Sequence, residues 1–255
     1  MENFYIKILQ QLRKYLILEQ ENQDRFPGDQ ELEARLASYE LAARMQLSVP
    51  EATKLKDEPE HIRKLYGADS PNKDKAAFAE NCILARRLIE RGVRFVQVYS
   101  GGPIAGNPRA SWDAHESVRQ NHGLEASRID RPVAALLKDL RQRGMLDDTL
   151  VLFTTEFGRT PFAQSAANAV GPGRDHNRYG FSGWLAGGGV RRGASYGSTD
   201  DVGWKAVEHP MPWHDFHATL LHLLGIDHTR LTYYHNGIQR RLTNVHGEVH
   251  AGVFA

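Results

Sequence analysis

Apolar residues recur every three or four positions over residues 4–20, where Phe4, Ile8, Leu12, Tyr15 and Leu16 share a face, so a helix is predicted there. A second helix is expected over 29–46, with Asp29 as its cap and Leu32, Leu36, Tyr39 and Ala43 as its stripe. Pro50, Pro59 and Pro71 then break the pattern, and residues 47–72 read as a loop holding one short helix from His61 to Tyr66. A third helix, 74–91, carries Phe78, Cys82, Ala85 and Ile89 on one face and stops at Gly92. The pattern then changes. Val93 to Tyr99 is a β-rich run closed by Ser100-Gly101-Gly102-Pro103. A fourth helix, 124–143, built on Ile129, Val133, Leu136, Leu137 and Leu140, passes through Gly144 into a second extended run at 149–155.

That second run, Leu150-Val151-Leu152-Phe153, reads as a buried strand of a parallel sheet, stopped by Gly158 and Pro161. Helix and strand alternating at these lengths is the pattern of right-handed crossover units, so the expected class is α/β with a mostly parallel sheet. Beyond Pro161 glycine becomes frequent. A strand is expected over Phe181–Ala186 before the turn Gly187-Gly188-Gly189, and a short helix over His214–Leu224 ended by Gly225. The tail to Ala255 reads as turns with short helical or extended pieces.

Composition narrows the function. Lys+Arg 32 against Asp+Glu 31 leaves almost no net charge, which argues against a sequence-independent grip on nucleic acid or an anionic membrane. A lone cysteine, Cys82, excludes an internal disulfide and a multi-cysteine zinc site. No apolar stretch approaches the roughly 20 residues that cross a bilayer. Met1 to Gln20 is amphipathic, interrupted by Lys7, Arg13 and Lys14, and is not a signal peptide, so the chain as it stands is expected to be cytoplasmic. Histidine is concentrated: most of the 12 follow His115.

Chemistry-bearing residues gather in four places. Glu156 lies just past the second strand, where open α/β sheets collect ligands. Trp112-Asp113-Ala114-His115 follows the first strand; its acid and imidazole can face one cation, or Asp113 can cap a helix starting near His115. Gly171-Pro172-Gly173-Arg174-Asp175-His176-Asn177 sets an Asp-His pair on a tight loop, with Arg174 able to pair with a phosphate or sulfate oxygen; the alternative is a surface turn. His214 and His217 share a face of the last helix, and the alternative for His217 is a hydrogen-bonded core histidine. Gly187-Gly188-Gly189-Val190 lacks the Lys-Ser/Thr of a phosphate loop and opens no helix.

Residues 149–158 resemble the strand of sulfatases and the alkaline-phosphatase superfamily that ends in Asp-His-Gly, and helix 214–225 resembles that superfamily's Asp-x-x-Pro-Thr-Leu-Leu-x-Leu-x-Gly helix. Joined with Trp112-Asp113-x-His115, Glu156-Phe157-Gly158-Arg159-Thr160-Pro161, Gly173-Arg174-Asp175-His176, Ala186-Gly187-Gly188-Gly189-Val190, His214-Asp215-x-His217-Ala218-Thr219 and Leu242-Thr243-x-Val245-His246-Gly247-Glu248, these make the chain similar to a bacterial family of sulfatase relatives, domain of unknown function 1501. The likeness covers about residues 28–250, which divides the chain into an N-terminal helix, 1–27, and a sulfatase-like domain, 28–255.

The resemblance implies a three-layer α/β/α fold of the alkaline-phosphatase/sulfatase type with a mostly parallel sheet, and a metal-dependent hydrolase of phosphate or sulfate esters, small-molecule or polysaccharide. Glu156 would take the place of the strand-end Asp, Asp113 and His115 that of the other Asp/His pair, and His176, beside Asp175, that of a late histidine ligand; His214 and His217 have weaker claims. A histidine-rich set favours Zn or Mn, a carboxylate-rich one Ca or Mg. Phe157 stands where the superfamily has a metal-binding His, and a hydrocarbon ring cannot ligate. Cys82-Ile83-Leu84-Ala85-Arg86 has the spacing of a sulfatase nucleophile motif, but with Leu84 where that motif wants Pro or Ala, and in mid-helix. Members of the family are usually longer and often exported, and their extra N-terminal half carries the nucleophile. The expectation is therefore a truncated copy, or one half of a split protein with a partner chain supplying the rest. A non-catalytic binding module is the rival expectation.

Overall fold

Asp29 starts the second helix as its sequence position requires: its carboxylate accepts the amides of Glu31 at 3.0 Å and Leu32 at 3.2 Å. The computed structural model describes residues 2–101, 112–164 and 172–255, with the side chains of all of these except 2–12 and 43–50. The side chains of Phe4, Ile8, Leu12 and Ala43, and the residues Gly102, Pro103 and Gly171, therefore lie outside the described residues. The chain divides into two compact units, residues 1–60 with 87–96, and residues 61–86 with 97–255.

In the first unit, α1 (Glu2–Arg25) and α2 (Gln30–Thr53) form a helical hairpin. Tyr15 and Tyr39 stack with ring centroids 6.0 Å apart, and Arg35 meets Glu19 at 3.5 Å. α2 outlasts its expected end, running through Pro50, which costs one backbone bond close to the C-terminus. A 3-10 turn, Leu55–Asp57, follows. The buried guanidinium of Arg87 then donates to Glu58 at 2.9 Å and to the Glu51 carbonyl at 2.7 Å.

The second unit is centred on α3 (Glu60–Tyr66), on α4 (Lys73–Glu90) as far as Arg86, and on α5 (Val118–Gln142). Asn72 caps α4 through the amides of Asp74 and Lys75. Tyr66, Ala79, Cys82, Ile83, Ala135 and Leu140 are buried, and so is the acid Asp139, which is 2% exposed. Its carboxylate accepts the Tyr66 hydroxyl at 2.9 Å and Arg143 Nε at 2.7 Å, and faces Arg86 Nε at 3.1 Å. Burial, then the charge and hydrogen bond of Asp139, push the Tyr66 phenol far above its ordinary range. Cys82 is buried and its thiol is pushed up to about 12 by that burial, which agrees with a packing role for the helix that carries it.

The expected three-layer α/β/α architecture with a mostly parallel, sulfatase-like sheet is overturned. The strands of the described residues pair only in twos, and every pair is antiparallel. β1 (Val151–Phe153) joins β4 (Trp184–Ala186), and β2 (Gly158–Arg159) joins β3 (His176–Asn177). β5 (Ser198–Thr199) joins β6 (Ala206–Glu208), and β7 (Thr232–His235) joins β8 (Ile238–Arg241). Val93 to Tyr99 forms no strand, and its Phe95 and Tyr99 are 75% and 73% exposed. An apolar run shows a preference for extended backbone but does not name its partner. Here Val151–Phe153 takes a partner that returns from the other direction, and Leu152 stays exposed.

The last helix, α6 (Trp213–Leu223), falls where its spacing predicts. The β7–β8 hairpin turns at Asn236-Gly237, both with positive φ (50° and 83°), the conformation of a tight two-residue hairpin turn and one that glycine adopts freely. No helix of the described residues is long and apolar enough to cross a membrane.

Asp139→Ala removes the carboxylate that neutralises Arg86, itself 3% exposed. It should cost about 3–5 kcal/mol, whereas Tyr66→Phe, which deletes one hydroxyl, should cost about 1 kcal/mol. Urea unfolding midpoints of the two variants test this ranking.

Candidate metal centre

The site begins with a close backbone approach. Gly173 passes so near residues 115–116 that a Cβ at this position would overlap the His115 carbonyl oxygen, so only glycine fits. Around it, the Arg174 amide donates to the Ala114 carbonyl at 3.3 Å, the Val118 amide to Pro172 at 3.1 Å, and the Gln164 amide to Gly173 at 2.9 Å. The loop at 112–117 and the loop at 172–176 are thereby held together. The β2–β3 ribbon supplies the third wall, pairing Arg159 with His176. The Thr160 amide continues it by donating to the Asp175 carbonyl at 2.9 Å.

Three donor groups converge at this junction. Asp113 Oδ1 lies 2.9 Å from His176 Nε2 and 3.1 Å from His115 Nε2, and the two imidazole nitrogens are 3.1 Å apart. The three side chains are 40%, 41% and 43% exposed, in that order of Asp113, His115 and His176, so a solute can reach them. Among the described residues, this is the group of three His, Cys, Asp or Glu close enough to share an ion. Metal–ligand bonds of about 2 Å place neighbouring ligand atoms roughly 3 Å apart, so the donor spacing fits one cation. The shell behind the donors fits too. His115 Nδ1 donates to Gln164 Oε1 at 2.9 Å, an arrangement in which a neutral ring would turn its Nε2 lone pair to the cluster. Phe157 covers one face of the His176 ring at a centroid distance of 4.2 Å.

Arg159 binds the whole arrangement. Its Nη2 donates to Asp113 Oδ1 at 2.6 Å and to the Trp112 carbonyl at 3.1 Å. Its Nη1 donates to the Arg174 carbonyl at 3.1 Å and faces His115 Nε2 at 3.5 Å. The hydrogen bond from His176, followed by that from Arg159, holds the Asp113 carboxyl at about 2, against a smaller opposing effect of burial. Sequence reading overlooked both Arg159 and Gln164. The signal available was the short extended step Gly158-Arg159, whose pairing with His176-Asn177 sets Arg159 opposite His176.

The remaining expected ligands do not join the group. Glu156 sits exposed in a bend between β1 and β2, and the ring beside it, Phe157, takes the inward position. Asp175 uses its carboxylate to accept its neighbour's amide, that of His176, at 2.8 Å. His217 bonds the Trp213 carbonyl of its own helix at 2.7 Å, and His214 packs against His246 with centroids 5.0 Å apart. Between those two histidines, burial pushes the Asp215 carboxyl up, but the amide of Glu248 and the ring of His250 outweigh it and the net shift is downward. Arg174 is exposed, and among the described residues its guanidinium has no hydrogen bond or ion pair.

A family model with the description "Protein of unknown function (DUF1501)" matches residues 7–254, a span that includes the helical hairpin as well as the cluster. No curated protein and no solved structure matches the chain.

Two outcomes follow from this geometry. Gly173→Ala forces the two loops apart and should destabilise the protein by about 1–3 kcal/mol, read as a lowered melting temperature. Asp113 has a lower pKa folded than unfolded (about 3.9 when unfolded), so the folded state binds fewer protons. Its stabilising contribution is complete above pH ~4 and fades as pH falls through about 2. Urea midpoints of wild type and Asp113→Asn should accordingly converge between pH 5 and pH 2, by roughly the acid limb that linkage predicts.

Proposed function

The chain belongs to the family described as protein of unknown function (DUF1501), and on that footing we propose that Asp113, His115 and His176 hold a divalent cation in a hydrolase acting on phosphate or sulfate esters. The observation that carries the reading is the donor triangle with edges of 2.9, 3.1 and 3.1 Å. Two imidazoles and one carboxylate favour Zn or Mn over the oxygen-seeking Ca or Mg. The resemblance of its motifs to those of sulfatases, without a layered sheet to match, directs the reading toward oxyanion esters.

When bound, a divalent cation would supply Lewis-acid polarisation of an ester oxygen. The chain's own residues do the rest. Asp113 contributes the negative charge, and Arg159 keeps its carboxylate ionised and in place. Gln164 holds His115 in the tautomer that presents a bare Nε2. Phe157 keeps water from one face of His176. Arg174, adjoining the cluster in sequence and exposed, is the candidate contact for the ester's anionic oxygens.

One observation favours the rival reading of a non-catalytic module. Arg159 already lies 2.6 Å from the Asp113 oxygen that both imidazoles approach, so a guanidinium can do a cation's neutralising work without chemistry.

Metal analysis of the purified chain, followed by thermal melts with added Zn, Mn, Mg or Ca and with chelator, tests the proposal. A specific ion at 100 times its Kd should add about 2.7 kcal/mol of stability, and His176→Ala should abolish that gain. Hydrolysis of p-nitrophenyl phosphate or sulfate, lost in Asp113→Ala, supports the hydrolase. Binding without hydrolysis supports the module, and no bound ion with no stabilisation by any of the four overturns the cation site.

A further inference from the structure

A second set of reactive groups lies apart from the cluster in composition, sharing none of its residues. Tyr196 Oη lies 2.6 Å from His250 Nδ1, and His250 Nε2 faces Asp215 Oδ2 at 3.4 Å. Each member is fixed from behind. Asp215 Oδ1 accepts the Glu248 amide at 2.9 Å, and the His250 amide donates to the buried Thr219 hydroxyl at 3.1 Å. The phenol ring lies between the His209 ring, 5.3 Å away, and the His250 ring, 5.6 Å away. It also rests on Gly252, where a Cβ would come within 2.6 Å of Tyr Cε2.

This order of groups has a direction. For His250 Nδ1 to accept the phenol proton, the ring must carry its own proton on Nε2, the nitrogen that faces the carboxylate. A nucleophile within hydrogen-bond reach of a base, with that base oriented by a third group, is the general signature of an activated nucleophile. The histidine and aspartate side chains are only 13% and 16% exposed, which keeps the relay partly screened from water, while Tyr196 itself is half-buried.

We propose that Asp215, His250 and Tyr196 form a relay that makes the Tyr196 oxygen a nucleophile toward activated carboxylic esters. In the first step the phenolic oxygen bonds to the acyl carbon as the bond from that carbon to the leaving aryl oxide breaks. The phenolic proton passes to His250 Nδ1 and leaves with the aryl oxide. Water then cleaves the aryl-ester link on Tyr196, releasing the carboxylic acid and restoring the hydroxyl.

The full chain is treated with p-nitrophenyl acetate, quenched at short times and digested, and acetylation of each tyrosine is followed by peptide mass spectrometry. Tyr234, 71% exposed, is the internal standard for an unassisted phenol. Tyr196 should acquire acetyl at least ~10-fold faster than Tyr234 despite its lower exposure, a modest share of the ~10²–10⁴ that a positioned base contributes. His250→Gln and Asp215→Asn should bring the rate down toward that of Tyr234, with circular dichroism confirming the fold. If wild-type Tyr196 is acetylated no faster than Tyr234, the proposal fails, whatever the variants do. It fails equally if folded His250→Gln labels at the wild-type rate.

Discussion

One guanidinium holds the cluster together. Arg159 spends its donors on the Trp112 and Arg174 carbonyls and on the Asp113 carboxylate, so three segments far apart in sequence meet around a single planar fork. Lysine has a point charge and no fork, and could not meet these acceptors with the same geometry. Because the carboxylate accepts from Arg159 and from the imidazole side at once, it stays ionised in acid that would neutralise an ordinary aspartate. The arginine thus couples the backbone path of the loops to the charge state of the acid they deliver.

The same contact sets the electrostatic balance on which both functional readings turn. A carboxylate with two imidazoles at hydrogen-bond distance needs a positive partner, either a proton shared among the rings or a cation among their lone pairs. Gln164 tilts this balance by fixing the proton of His115 on the outer nitrogen. Arg159 tilts it the other way, by supplying positive charge from within the chain. The buried Asp139 shows the second solution in pure form, with two arginines and a tyrosine hydroxyl around it and little solvent access.

The helices were legible because their boundary signals are local: Asp29 starts α2, and Gly92, Gly144 and Gly225 follow the ends of α4, α5 and α6 within two residues. Strand partners were not, since alternation and apolar runs carry no address: of the two runs expected in a parallel sheet, 93–99 forms no strand and Val151–Phe153 pairs antiparallel with Trp184–Ala186. In the tail, which reads as turns with short helical or extended pieces, the Asn236-Gly237 dipeptide marks the turn of the β7–β8 hairpin. At the site, Asp113, His115 and His176 were legible from residue type on turn-forming loops. Glu156 misled because its strand ends at Phe153, and the bend that follows leaves the acid exposed. His214 and His217 misled because helical spacing aligns side chains with one another without saying what lies opposite them.

The spacing of these contacts along the chain has a consequence for how the protein is assembled. Arg159 meets His176 across a short excursion, but Asp113 across 46 positions. Closing the longer loop costs about 1 kcal/mol more chain entropy than closing the shorter one, so the Arg159 contact with Asp113 has the larger ordering cost to offset. A nascent chain therefore carries the acid of this centre long before the surface that gives it a place.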